Sequence, residues 1–265
     1  MDKIELQLIN QDEVLKERTG LETTYIEFHH HYAPGDFYRV IAKKNPCYII
    51  VQLDSAVKPA FIYMSEKIWD YQIPFNDKRE SPYAPLAFET RNNYASVRYA
   101  TKEEVLTYRN LAENSLDQHK ENSGFPHVTA NAETRNEYVF YCKNAIDGIF
   151  ANGSHGNYPF ESWGTNAQKN AEMTLNYGRE VLLDKLVFTL RADYPHDGYW
   201  KSLSVEFSDG SIETINLKKT AERQIVTINE RKVTWIRLFN LIEDDDPSTF
   251  AALTQIETFG RNIIE

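Results

Sequence analysis

The sequence predicts an all-β protein built from two tandem, jelly-roll-like β-sandwiches joined by a short helix. Three observations predict it. The chain is 265 residues long, about two domains at ~100–200 residues each. Aromatic residues reach 13%, and aromatic side chains suit pleated, half-buried surfaces. Short runs of alternating apolar and polar residues recur through the C-terminal half, as a sheet with one buried face requires.

Residues 1–100 form the first expected sandwich. Apolar runs at 47–53 and 60–64 flank a turn-like connection at 54–59, and 71–74 and 94–99 add short strands. The joint is expected over 101–125. Thr101 and Glu104 have the spacing of a capping box, in which hydroxyl and carboxylate satisfy each other's orphan backbone donors. Val105, Tyr108, Leu111 and Ala112 then continue at helical spacing through Asn114, and 118–124 reads as a polar loop.

Residues 126–265 form the second expected sandwich. Strands are expected at 138–142, then through Met173, Leu175 and Tyr177, through Leu186, Phe188 and Leu190, and through Leu203, Val205 and Phe207. Asp209-Gly210 follows, a dipeptide able to supply the positive φ angles of a type I′ hairpin turn. With 224–228, 235–241 and 253–259 the total is about eight, as in a jelly roll. The strand–turn–strand at 48–64 parallels 173–190, which points to a diverged internal copy.

The net charge of −10 repels phosphate backbones, so nucleic acid and anionic membranes are excluded as partners, while neutral sugars remain open. The first residues carry charges where a signal peptide needs an apolar run, and no segment has the ~20 apolar residues that span a bilayer. Cys47 and Cys142 lie in separate apolar runs without metal spacing and are expected reduced and buried. Together these features predict a cytoplasmic protein.

The densest polar cluster is Arg191, Asp193, His196 and Asp197 with Tyr199 and Trp200, a loop between two apolar strands. Bidentate donors and acceptors match vicinal hydroxyls, and an aromatic face covers the C–H face of a sugar. Bracing of the loop by an Asp–Arg pair, with Trp200 in the core, is the equal alternative. A second loop holds His155 between glycines and ends at Glu161 and Trp163; a third places His127, Asn131, Glu133 and Arg135 before a strand. Interdomain salt bridges compete with ligand contacts in the third. His29-His30-His31 alternates if it is a strand, so only His29 and His31 could share an ion. The acidic run 244–247 reads as a solvated turn.

Asn144-Ala-Ile-Asp147-Gly148, Ser162-Trp163-Gly164, Leu175-Asn-Tyr177-Gly178, residues 181–186, Phe207-Ser-Asp-Gly210 and Gln255-Ile-Glu257-Thr-Phe259-Gly260 carry a resemblance. In that order the C-terminal half resembles the discoidin-like, coagulation-factor type C family, which includes the family 32 carbohydrate-binding modules. The whole chain also resembles uncharacterised two-domain bacterial proteins described as carbohydrate-binding. The resemblance implies a galactose-binding-like sandwich with ligands held by loops at one end. It also implies a structural calcium, with Asp147 as a ligand and Gln255 in the place of the usual acidic residue, Glu257 lying two positions on.

Enzyme motifs are absent: there is no GxSxG, Walker loop, GxGxxG after a strand or HExxH. The sequence therefore predicts a non-catalytic protein binding a sugar or glycoconjugate, with no cofactor beyond that calcium. One alternative is a carbohydrate hydrolase or lyase with an acid and base among Asp193, Asp197, Glu133 and His196. The other is an adaptor whose loop clusters cement the two sandwiches or a homodimer.

Overall fold

The computed structural model describes residues 2–120, 123–245, 248 and 250–264. Its N-terminal half carries β1 (Lys3–Asn10), β2 (Glu13–Leu21), β3 (Thr23–His29), β4 (Asp36–Ala42), β5 (Cys47–Gln52), β6 (Ala60–Met64), β7 (Ile68–Gln72), a one-turn helix α1 (Asp77–Glu80) and β8 (Asn92–Tyr99). Burial in β4, β5 and β6 alternates strictly, sending Tyr38 and Val40, Ile49 and Val51, and Ile62 and Met64 inward. This is the period of two that a pleated strand imposes. Two antiparallel sheets, β2-β1-β4-β7 and β6-β5-β8-β3, the second extended at β6 by a strand from the joint, close on one core that includes Trp69 and Tyr71. Strand β2 is exposed along most of its length and rich in charge, which protects an open edge against pairing with another chain.

The joint is shorter in helix than expected. The capping box forms: Thr101 Oγ1 accepts from the Glu104 N–H and Glu104 Oε2 from the Thr101 N–H. Helix α2 (Lys102–Leu106) then ends after five residues. Tyr108 leaves the helical path because its ring stacks on Phe259, 6.1 Å away, and its hydroxyl donates to Asp184. Strand β9 (Arg109–Asn110) joins the C-terminal sheet beside Phe259 and Gly260, whereas β10 (Gly124–Phe125) pairs with Tyr63 and Met64 in β6. One segment thus adds a strand to each half and ties them together.

The C-terminal half contains β11 (His127–Ala130), β12 (Trp163–Gly164), β13 (Met173–Leu190), β14 (Trp200–Phe207), β15 (Ile212–Asn216), β16 (Gln224–Glu243) and β17 (Ala252–Asn262). They form the order β12-β17-β13-β16-β14-β15, with β11 and β9 added at β13 and β17. Expected strand pairs merge here: residues 173–177 and 186–190 are both in β13, and 224–228 and 235–241 are both in β16. Register shifts at Asn176/Val181 and Leu183/Lys185 bend this pair, because bulges kink a strand without ending it. Gly178 sits in the first shift at φ +68°, and a Cβ there would stand 2.4 Å from the Phe125 ring. The parallel with residues 48–64 therefore fails: that segment is a two-stranded hairpin, and 173–190 is one continuous strand.

Two further expectations are corrected. Residues 138–142 form 3-10 turns rather than a strand. Val139, Phe140, Tyr141 and Cys142 are all buried in succession, which an alternating strand with one wet face cannot achieve. At the Asp209-Gly210 turn only Gly210 has a positive φ, and Asp209 Oδ1 instead accepts from the Ser211 N–H. A type I′ turn needs both residues left-handed. Strands make up 49% of the chain and helix 8%, so the all-β class stands. Both cysteines are free and buried, and burial pushes the Cys47 thiol up to about 11.

Candidate functional site

The long loop after β13 is organised by one buried carboxylate. Asp197, fully buried, accepts a bidentate pair from Arg191 at 2.9 and 2.6 Å, the Asp193 backbone N–H at 2.9 Å, and a contact from His196 Nδ1 at 3.1 Å. Such a charge is tolerated inside only when paired and hydrogen-bonded. Arg191 Nη2 also donates to the Phe250 carbonyl at 2.7 Å, which brings in the segment before β17. The loop at 151–163 is held by Asn152, whose amide donates to Leu190 and Ala221 carbonyls, and by the Ala192 N–H donating to Asn152 O.

These anchors place exposed groups side by side. His155 Nδ1 lies 2.7 Å from Asp193 Oδ2. The His155 and His196 rings are parallel at 4.3 Å, and His196 stacks on Phe250 at 5.2 Å. The three rings border a cavity of about 200 Å³ at one end of the sandwich, whose other walls include Phe140, Arg135, Thr134, Thr165, Asn166 and Arg191. Arg191, whose Nε and Nη2 are held by Asp197 and the Phe250 carbonyl, forms part of the cavity wall. A more open depression, also bordered by Arg135, His155 and Phe140, continues past Tyr158 and Phe160. Arg135, Asn136, Asn166 and Ala167 on this rim all have left-handed backbones, with φ between 51° and 54°. Donor atoms of His155, Asp193 and His196 lie within 4.8 Å of one another, so this trio is also the one place among the described residues where three such side chains could hold a metal ion.

The expected ligand residues divide accordingly. His155, Arg135, Arg191 and His196 line the cavity, and Asp193 orients His155. Asp197 is the internal brace and presents nothing to solvent; paired to Arg191, it cannot serve with Asp193 as a substrate-facing carboxylate pair. Trp163 and Trp200 are corrected: both are core residues, 5.9 Å apart, and Trp163 Nε1 donates to Ala132 O beneath the loops. Their indoles cannot cover a sugar. Glu133 is also corrected. It turns towards the joint, accepting from the Cys142 N–H at 2.8 Å and lying 2.6 Å from His119 Nε2. Phe250 and Phe140 were not anticipated. The signal for Phe250 is a lone aromatic in an otherwise polar loop, whereas Phe140 falls in a run that the sequence predicts as a strand.

The remaining histidines and acids take separate roles. His29 bonds Asn92 and His30 bonds Asp36, on different partners. Asp244 and Asp245 lie in a surface turn with Asp245 3.9 Å from Lys201, and Asp246 and Pro247 fall outside the described residues.

The residues do not fit the implied calcium. Gln255 Nε2 donates to Asn144 O at 2.6 Å and to Asp147 Oδ1 at 2.7 Å, while its Oε1 accepts from the Gly148 N–H. The amide orientation follows from these partners: reversed, it would set oxygen against two oxygens. A donor therefore stands between the two oxygens that a cation would bridge. Glu257 is taken bidentately by Arg223 at 2.9 and 2.8 Å. The charge a calcium site needs is thus spent elsewhere.

No protein-family model and no curated protein matches the chain. Among solved structures it is similar to a chitosan-binding module of a chitosanase/glucanase from Paenibacillus sp. IK-5, at 16% identity and TM-score 0.40, over 57% of this chain and 98% of that one. It is similar to a family 32 carbohydrate-binding module from Clostridium perfringens in complex with galactose, at 16% identity and TM-score 0.38, over 50% and 91%. It is also similar to a fucose-binding module from Streptococcus pneumoniae, at 12% identity and TM-score 0.40, over 58% and 98%.

Proposed function

We propose that this protein is a non-catalytic carbohydrate-binding protein that takes a sugar or glycoconjugate in the loop cavity of its C-terminal half. The observation that carries the reading is the convergence of Arg135, His155, Arg191 and His196, from three separate loops, on one cavity walled by stacked rings. Imidazole and guanidinium nitrogens offer hydrogen bonds to vicinal hydroxyls, and the phenyl and imidazole surfaces cover C–H groups. The cavity is small, so a single sugar ring would bind weakly, and a longer glycan would gain from the neighbouring depression at Tyr158.

A glycan array probed with labelled protein tests this, followed by calorimetry on the best glycan with wild type and His196→Ala. The reading expects at least one glycan to bind and His196→Ala to weaken it tenfold or more with the melting temperature kept. A blank array, or binding untouched by His196→Ala, refutes it. In that case the loops serve only to brace the sandwich, as the buried Arg191–Asp197 pair already does.

A further inference from the structure

A larger cavity than the one between the loops lies elsewhere, at the seam between the two halves. It measures about 890 Å³, within the size range of small-molecule sites, which favour such interfaces. The N-terminal half contributes Lys44, Tyr48, Tyr63 and Tyr99, the joint contributes Lys102, and the C-terminal half contributes Arg179 and the Glu180–Lys232 pair.

Its charge is opposite to that of the chain as a whole. Glu180 is the sole acidic residue on its described walls, and Lys232 neutralises it at 2.6 Å. Lys44 and Lys102 have no carboxylate partner among the described residues. Arg179 donates to Asn262 Oδ1 at 2.9 Å and to Tyr177 O at 2.6 Å, both neutral acceptors. Its guanidinium rests over the Tyr48 and Tyr63 rings at 5.2 and 5.1 Å, which fixes it in place without offsetting its charge. Three cations around one cleft with no carboxylate partner among the described residues are unexpected in a protein of net charge −10. Unlike charges scattered on a convex surface, they focus a positive field into a space with low-dielectric aromatic walls.

We propose that this interdomain cleft is a second ligand site, for a small organic anion whose phosphate or carboxylate is held by Lys44, Lys102 and Arg179 and whose ring lies against the tyrosines. A sugar phosphate or a uronic acid has this chemistry. The site is separate from the loop cavity, shares no residue with it, and stands whether or not that cavity binds a glycan.

Calorimetric titration of the whole protein with glucose 6-phosphate, glucuronate, inorganic phosphate and glucose tests the proposal. At least one of the two anionic sugars should bind more tightly than inorganic phosphate, and glucose should not compete for it. The double variant Lys44→Gln/Lys102→Gln should weaken that binding at least tenfold. The charge-matched control Lys169→Gln/Lys218→Gln, at exposed positions that do not line the cleft, should leave it unchanged. Failure of both anionic sugars to bind overturns the proposal. So does equal binding of inorganic phosphate, or equal weakening by the control.

Discussion

Glu161 is the most exposed to experiment of the buried charges, because its protonation should be visible in stability. It is 2% exposed, and neither carboxylate oxygen has a hydrogen bond of normal geometry. Burial raises its pKa from 4.5 to about 7; its own backbone N–H and the Lys143 ammonium recover only part. The folded protein therefore keeps this proton through a range in which the unfolded chain has released it. Stability from this group is complete below about pH 4.5 and is lost as the pH rises towards 7. A rise from 4.5 to about 7, at ~1.4 kcal/mol per pH unit, corresponds to roughly 3 kcal/mol as an order of magnitude. Asp147 acts in the same direction, held well above the carboxylate range by burial and by the Glu161 charge. Glu161→Gln cannot ionise and also relieves Asp147. Urea unfolding at pH 4.5 and 7.5 should show wild type losing roughly 3 kcal/mol more than Glu161→Gln across that interval. The comparison uses the difference in pH dependence, so any fixed cost of the amide cancels. Parallel pH–stability profiles for the two proteins would refute the reasoning.

Gln255→Glu should replace the bridging donor with a carboxylate facing Asp147 and Asn144 O, so that added calcium raises its melting temperature by several degrees while wild type does not respond; calorimetric scans with calcium and with chelator check this. Asp197→Asn should cost about 3–5 kcal/mol in urea unfolding, because it leaves the Arg191 charge buried without its partner; a loss under about 1 kcal/mol would contradict the bracing role. Gly260→Ala should destabilise by more than about 3 kcal/mol or abolish soluble expression, since the new Cβ would meet Leu182 O at 1.8 Å where β13 and β17 pair.

The all-β class was legible because apolar alternation is local: Leu203, Val205 and Phe207 announce one buried face without any knowledge of their neighbours. The capping box at Thr101 was legible for the same reason, its two hydrogen bonds spanning only three residues. Where the helix stops was not, since Tyr108 is drawn off by Phe259 and Asp184, far along the chain. The continuity of β13 and β16 was hidden too, because a bulge reads in sequence as a turn, and Gly178 strengthens that impression. In the candidate site, the loops at 151–163 and 191–197 could be recognised as polar and glycine-rich. Which of their side chains face out could not. Trp163 and Trp200 look like stacking platforms by residue type, yet packing claims both for the core. The interdomain cleft left no local trace, because Lys44, Lys102 and Arg179 meet only through the pairing of β9 and β10 with opposite halves.

A crystal structure of the protein soaked with its tightest array glycan is the most direct measurement. Sugar density between His196, His155, Phe250 and Arg191, with a hydroxyl within hydrogen-bond distance of the Arg191 guanidinium or a histidine nitrogen, is the expected result. A glycan bound elsewhere on the molecule, with those four side chains untouched, would contradict the assignment of the loop cavity as the binding site.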